Sequence, residues 1–443
     1  LPPDDGATVL FDVVYLIVGL LALPWVAWRK LSGGRPVAAP WLRFTGGVSI
    51  VPPKSGADRI WLHGVSVGEV QLLASLAAEL ERQASEAGRT IDLVISSSTT
   101  TGLEVAAKRF GGDRVFPCPL DFSWSVTRVI GTVQPAAIVL GELELWPNLL
   151  RIAAQRSIPV VVANARMSPR SFQGYSRIRS IVRRMLGRVT VVSARSRDDG
   201  DRFKALGARD VRVSGSMKFD GVRGDRSAPD VQRLRALAAF AADDIVFLAG
   251  STQAPEEQLA AETFRLLCEA NPRLRLVIVP RHVERATDIA NVLENLGLRW
   301  QLRSRLDDDG PDSAARVLLV NTTGELGWWW GTATIAFVGG SLDGHRGGQN
   351  MIEPAAYGAA VCFGPHTRNF RDEVTSLLAA EAAVVVEDGP ALTAFVSRCL
   401  ADPAWARSLG SRAASVVAAA RGATAATARI ILGELPKPVA DQE

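Results

Sequence analysis

The chain has 443 residues, 47% hydrophobic and 22% charged, with a formal net charge of +4. This composition is globular, and the length exceeds one ordinary core, so two domains of roughly 200 residues are expected. Four cysteines without C-x-x-C spacing and four histidines without metal-ligand spacing argue against a zinc site, a disulfide framework or a catalytic metal.

The first element is a membrane signal. Val9 to Trp28 is apolar except for Asp12, and twenty helical residues cover about 30 Å, one hydrocarbon core. Asp4 and Asp5 precede it and Arg29 and Lys30 follow, so an anchor over residues 1–30 is expected, N-terminus outside and body in the cytoplasm. The basic start and cleavage site of a signal peptide are absent. A helix packed on the protein or lying in the membrane interface is the alternative.

Short apolar runs then alternate with helical patterns. Strands are expected at Arg59–His63, Ile91–Ser97, Ala136–Gly141, Pro159–Asn164, Val189–Ser193 and Val211–Ser214, with helices such as Val70–Ala87 and Thr101–Phe110 between several of them. Residues 219–243 interrupt the pattern and read as a linker plus a first helix. The alternation resumes at Ile245–Gly250, Leu274–Val279, Val317–Asn321, Ala333–Gly339 and Ala360–Phe363, and an Ala-rich helical stretch runs beyond Pro403. The expected fold is α/β, with two Rossmann-like domains at 31–225 and 226–443, the second including the terminal helices. Strand C-terminal ends should face an interdomain cleft, where ligands of open α/β sheets bind.

Chemistry-bearing residues cluster at those strand ends. H-G-V-S-V-G-E ends in Glu69, placed either to deprotonate a hydroxyl or to complement a helix dipole. L-G-E-L-E-L-W-P-N carries Glu142 and Glu144, of which one would have a raised pKa if both were buried. N-A-R-M-S-P-R-S follows at Asn164, and G-S-M-K-F-D places Lys218 at the domain junction. Between Leu145 and Arg197 there are eleven arginines and no Asp or Glu, which suits a surface facing anionic lipid or a set of solvated helix faces.

In the second half, A-G-S-T-Q-A-P-E-E offers Ser251 and Thr252 to phosphate, and V-P-R-H-V-E-R puts Pro280 and Arg281 at a strand end. N-T-T-G-E-L contains Gly324, Glu325 and Leu326 and precedes Trp328–Trp330, which read as core or domain-contact residues. F-V-G-G-S-L-D-G-H-R-G-G-Q-N-M-I-E-P breaks a strand into glycines before a helix signal. It reads as a nucleotide pocket, with the free N–H groups of the helix N-terminus behind the loop for phosphate and Glu353 for ribose hydroxyls, or simply as a Gly-rich turn with a capping Glu. G-P-H-T-R-N-F, Gly364 to Phe370, closes the set.

The order and spacing of these motifs resemble the transferases of 3-deoxy-D-manno-octulosonic acid (Kdo) specific for lipid A, from about residue 10 to about residue 380. The resemblance implies a GT-B architecture and an inverting transfer of Kdo from CMP-Kdo to a lipid A precursor. No metal or other cofactor is implied. The implied partners are those two substrates and an anionic membrane surface, not nucleic acid, at the cytoplasmic face of the inner membrane. It further implies Glu69 as general base, with Glu142 and Lys218 stabilising the transition state. The nucleotide would be held by Pro280, Arg281, Gly324, Glu325, Leu326, Asn350, Met351, Ile352 and Glu353. This chain departs from the family pattern at Leu143 (usually Thr), Ser216 (usually Asn), Gln253 and Gln349 (both usually His). A nucleotide-sugar epimerase or hydrolase on the same fold, and a noncatalytic nucleotide-binding protein, are the competing readings.

Overall fold

The computed structural model describes residues 11–17, 21 and 39–436. The chain divides into two compact units, one formed by Leu1–Gly221 with Arg421–Glu443 and the other by Val222–Ala420.

The first unit is built on seven parallel strands: β1 (Asp58–His63), β2 (Ile91–Ser97), β3 (Val115–Pro117), β4 (Ala137–Gly141), β5 (Val160–Ala165), β6 (Val191–Ala194) and β7 (Val211–Val213). Their order is β3-β2-β1-β4-β5-β6-β7. Both faces carry helices, which is why Ile60–Leu62 and Ala137–Leu140 are unbroken apolar runs with no exposed surface. The chain winds outward from β1 in one direction and resumes from β4 in the other. The β1/β4 boundary is therefore the topological switch point, where loops diverge and leave a crevice. Ser66, Thr99, Ser168 and Ser196 each cap the helix that follows a strand.

The second unit repeats the plan with β8 (Ile245–Thr252), β9 (Leu274–Pro280), β10 (Trp300–Leu302), β11 (Val317–Leu319), β12 (Ile335–Val338), β13 (Ala360–Phe363) and β14 (Ala383–Val385). The order β10-β11-β9-β8-β12-β13-β14 puts the switch point between β8 and β12. The segment expected as a linker is fastened to this unit. Arg226 donates to the carbonyls of Tyr357, Gly331 and Ala333. Trp329 and Trp330 are core residues, as their sequence suggested.

One expectation needs correction. The last helix, Ala423–Glu434, does not belong with the second domain: its Ala428 and Ile431 complete the apolar cluster of Ile60, Leu62, Val70 and Leu73 in the first unit. Gly422, at φ 100°, separates it from the helix Pro403–Ala419, whose Leu409 joins the second unit's core. Among the described residues, Pro403–Glu434 is the stretch long and apolar enough to cross a membrane. Its apolar stripes are instead spent on two different sheets.

The anchor expected over residues 1–30 falls mostly outside the described residues, but residues 11–17 are helical. Asp12 accepts hydrogen bonds from the Ser123 N–H, the Ser123 hydroxyl and Asn148 Nδ2 at 2.9, 2.5 and 3.0 Å. Tyr15 donates to Asp121 at 3.0 Å and meets Phe122 edge-on. The described part is thus a helix docked on the first unit by its polar face, and an anchor crossing the bilayer is not supported by it. Val13, Val14 and Ile17 point to solvent.

Candidate active site

Glu69 stands in the first turn of the helix Val67–Glu86, directly after β1. Ser66 caps the Glu69 N–H, and the Glu69 carboxylate reaches back to the Val65 N–H at 2.7 Å and the Ser66 hydroxyl at 3.0 Å. This is a capping box shifted by one residue, so the helix-start reading holds alongside any catalytic one. Gly64 and Gly141 make the approach possible: a Cβ on either would come within 3.2 and 3.9 Å of the Glu69 Cβ. Glycine at those two positions lets the ends of β1 and β4 close around the carboxylate.

Burial raises the Glu69 pKa above the usual range, and the charge of Glu142 adds to the rise against the hydrogen bonds from Val65 and Ser66. Glu144 goes further, to about 7, through burial first and then the charges of Glu69 and Glu142. Three carboxylates therefore share the switch point of the first sheet. Glu142 sits at φ 57°, in the left-handed region that a non-glycine residue enters at a cost. His63, beneath them, is fully buried and held neutral, its pKa lowered to about 4 by burial. Its Nδ1 is 2.9 Å from the Ser96 hydroxyl. It shapes the loop and is not poised as a base near neutral pH.

Lys218 lies in a single 3-10 turn, Met217–Phe219, fixed at both ends. Asn164, itself at φ 54° where β5 shifts register against β6, accepts from the Met217 N–H at 3.1 Å. Asp220 accepts from the Gly422 and Thr424 N–H groups, both at 2.5 Å, and so caps the last helix. The W-P-N motif is structural: Asn148 and Leu149 donate their N–H groups to Asp121, whose pKa burial pushes up to about 7.

In the second unit a buried carboxylate organises the start of the glycine loop. Glu256, at the head of the helix Glu256–Leu267, is buried and accepts the N–H groups of Gly340, Ser341 and Leu342 at 2.7, 3.0 and 3.1 Å. It also accepts the Gln253 N–H at 3.0 Å. The amides at the start of the loop are thus occupied by a protein carboxylate, while the helix start expected to offer N–H groups to phosphate, Ile352–Ala356, lies further on, its Ile352 N–H taken by Asn350 Oδ1. The loop amides from residue 343 on are not held by Glu256.

Ser251, at φ 54°, and the buried Thr252 end β8 at a register shift against β9, and Thr252 Oγ1 has no protein partner. Arg281 donates its N–H to the Thr252 carbonyl and leaves its side chain exposed, next to Pro280 at the end of β9. The Glu325 side chain is engaged internally, accepting from Arg303 Nη2 and Nε at 2.8 and 2.9 Å and from the Thr322 hydroxyl. Burial acts to raise its pKa, but the Arg303 hydrogen bonds outweigh it and hold the group low. What remains for a ligand at Gly324–Leu326 is backbone. Asn350 orients Glu353, donating from Nδ2 at 3.0 Å while accepting from the Ile352 N–H at 3.1 Å. Met351 and Ile352 are buried beneath them.

Sequence reasoning proposed neither Glu144 nor Asp220 as a site residue, and it missed the role of Glu256. A helix start after S-T-Q-A-P was legible, but its partners eighty residues away were not. Among the described residues no group of three or more His, Cys, Asp or Glu is placed to hold a metal ion.

Residues 43–221 match the family described as 3-Deoxy-D-manno-octulosonic-acid transferase (kdotransferase). The chain is 32% identical over 416 residues to the 3-deoxy-D-manno-octulosonic acid transferase of Haemophilus influenzae, covering 93% of each. It is 31% identical to that of Bordetella pertussis, covering 92% of this chain and 95% of the relative. In fold it is similar to a glycosyltransferase from Rickettsia africae, with a TM-score of 0.54 at 12% identity over 86% of this chain and 99% of the other. With both sheets and the switch-point carboxylates in place, the chain belongs to the 3-deoxy-D-manno-octulosonic acid transferase family and is a glycosyltransferase of the GT-B type.

Proposed function

We propose that this enzyme transfers Kdo from CMP-Kdo to a lipid A precursor with inversion at the anomeric carbon, at the cytoplasmic face of the inner membrane. The observation that carries the proposal is the carboxylate group of Glu69, Glu142 and Glu144 at the first switch point. A base there must be ionised yet poorly solvated, and burial with like charges nearby raises its proton affinity toward the working pH. The acceptor hydroxyl attacks the ketosidic carbon as the bond to the CMP phosphate breaks, and its proton passes to Glu69. Glu142 and Lys218 face the developing charge, and Arg281 with the Ser251/Thr252 turn meets the leaving phosphate. Pro280, the backbone of Gly324–Leu326 and the Asn350–Glu353 turn hold the nucleotide. Protein cations do this work, so transfer is expected to persist in excess chelator.

The test is incubation with CMP-Kdo and a lipid A precursor. Glu69→Gln should keep CMP binding and lose about 10²–10⁴-fold in transfer, the usual worth of a general base. A variant keeping more than about a tenth of the rate removes Glu69 from that role. Release of free Kdo without acceptor would mark a hydrolase instead.

Membrane attachment draws support from the arginine-rich stretch. Arg177, Arg179, Arg183 and Arg184 are exposed on two successive helices, with Ile178 and Ile181 exposed among them. Each basic group near an anionic surface contributes about 1 kcal/mol, screened by salt. Changing the four to Gln should weaken co-sedimentation with anionic vesicles at low salt. No preference of the parent protein for anionic over neutral vesicles would end this part of the reading.

A further inference from the structure

We propose that a cavity in the second unit, between the glycine loop and the G-P-H-T-R-N-F segment, binds a small oxyanion, phosphate or carboxylate. The inference deepens the functional reading above and rests on it, because both groups occur in a sugar acid esterified to CMP.

The cavity has a volume of about 240 Å³ and is lined by Gly344, Gly347, His366, Thr367, Arg368 and Arg371 among others. One water needs about 10–15 Å³ of such space, so the cavity takes a polyatomic group. Its walls are built rather than incidental. The Asn369 N–H donates to the Gly347 carbonyl at 2.9 Å and the His366 N–H to the Ser341 carbonyl at 3.0 Å. Asn369 Nδ2 donates to the Arg346 carbonyl at 2.7 Å. These bonds stitch the two segments together along the cavity.

The lining is cationic. Arg368 spends one nitrogen on the His345 carbonyl at 2.8 Å, which holds its fork in place. Neither Arg368 nor Arg371 forms an ion pair with a carboxylate among the described residues. Asp343, the acid of the loop, turns its Oδ1 to the His345 N–H at 3.1 Å. Arg371 opens the nine-residue helix Arg371–Ala379, whose positive dipole end adds to the field. Gly344 and Gly347, at φ 72° and 81°, lie against the His366 ring and the Arg368 chain, where a Cβ would crowd both. Two guanidinium forks brought to one small cavity whose described lining holds no carboxylate form a receptor for a planar or tetrahedral oxyanion. The G-P-H-T-R-N-F motif thereby acquires a role that its sequence alone did not suggest.

The experiment is titration calorimetry on the full chain with three probes, inorganic phosphate, CMP and free 3-deoxy-D-manno-octulosonate. Arg368→Gln with Arg371→Gln should weaken at least one probe about tenfold or more, the scale of a lost charge-assisted contact. Loss confined to phosphate and CMP assigns the cavity to phosphate, and loss confined to the sugar acid assigns it to carboxylate. All three affinities within about twofold of the parent, at an unchanged melting temperature, would overturn the proposal. Should the double variant not fold, phenylglyoxal labelling of the parent decides: protection of Arg368 or Arg371 by any probe supports the site, and equal labelling with and without all three overturns it. A parent that transfers Kdo while its variant binds every probe normally sinks this inference alone. A parent that transfers nothing, yet loses anion binding with the two arginines, sinks the functional reading alone.

Discussion

The side-chain amides of Gln253 and Gln349 meet over Gly340, where a Cβ would stand 3.4 and 3.3 Å from their nitrogens. Gln253 Oε1 accepts from Arg346 Nε at 3.1 Å, so the same amide also ties the end of β8 to the glycine loop. At both positions the family resemblance leads one to expect imidazole where this chain has an amide, and both amides lie against Gly340.

That proximity predicts coupling. Gln253→His and Gln349→His should be non-additive in their effect on CMP affinity, by about 0.5 kcal/mol or more, as expected for side chains sharing one space. The double variant should gain a titration step near the ordinary histidine pKa of about 6.5. A double-mutant cycle by calorimetry at pH 6 and 8 checks both. Gly340→Ala, with φ 65° and both amides in the way, should lower the melting temperature.

Glu256 organises the second switch point. Glu256→Gln sets an amide N–H₂ against backbone donors, and each buried donor left unsatisfied costs about 1–3 kcal/mol. The expected result is a melting temperature lower by several degrees and weaker CMP binding, read by calorimetry. An unchanged melting temperature would mean that the loop holds its shape without this carboxylate.

Glu144 carries a pH signature. Its folded pKa, raised to about 7 by burial and then by Glu69 and Glu142, lies above the usual 4.5. Between those values the folded chain binds more protons than the unfolded one, so stability falls as pH rises through about 7. Glu144→Gln should therefore raise the melting temperature more at pH 8 than at pH 5. It should also move the acidic limb of transfer to lower pH by relieving the neighbouring base. An equal shift in melting temperature at both pH values would place Glu144 in water.

Asp220 joins the lysine turn to the last helix. Asp220→Ala removes the cap on Gly422 and Thr424, which should cost about 1 kcal/mol of stability, while Asp220→Asn, whose one amide oxygen can accept only one of the two N–H groups, should recover only part of it. Because the same turn holds Lys218, the Ala variant should lose kcat beyond its loss of folded protein. Urea denaturation and transfer assays on one preparation separate the two effects.

Much of this was legible from residue order alone. Apolar runs such as Ile60–Leu62 and Phe337–Val338 become parallel strands because helices cover both faces, and that requirement is written into local composition. The motif residues of each half fell at strand ends for the same reason, since glycine and polar residues stop a strand where it leaves the sheet. The two-domain α/β class and the placing of Glu69, Glu142 and Lys218 in one half followed from such local signals, and the family from the resemblance of the motifs taken together.

What the tertiary structure decided were the pairings between distant segments. An alanine-rich helix has no address in its composition, so Ala423–Glu434 goes to the first sheet only because Ala428 and Ile431 fill a gap there. Asp12 marks an apolar helix as docked only through Ser123 and Asn148, which lie more than a hundred residues on. The glycines that let a ligand approach the main chain are visible locally, whereas the carboxylate of Glu256 that fills the loop's first amides comes from another strand's end. Hydrophobic periodicity is a property of neighbours in sequence and can be read there. Hydrogen bonds to a buried carboxylate depend on which strands lie side by side, and only the packed sheet settles that.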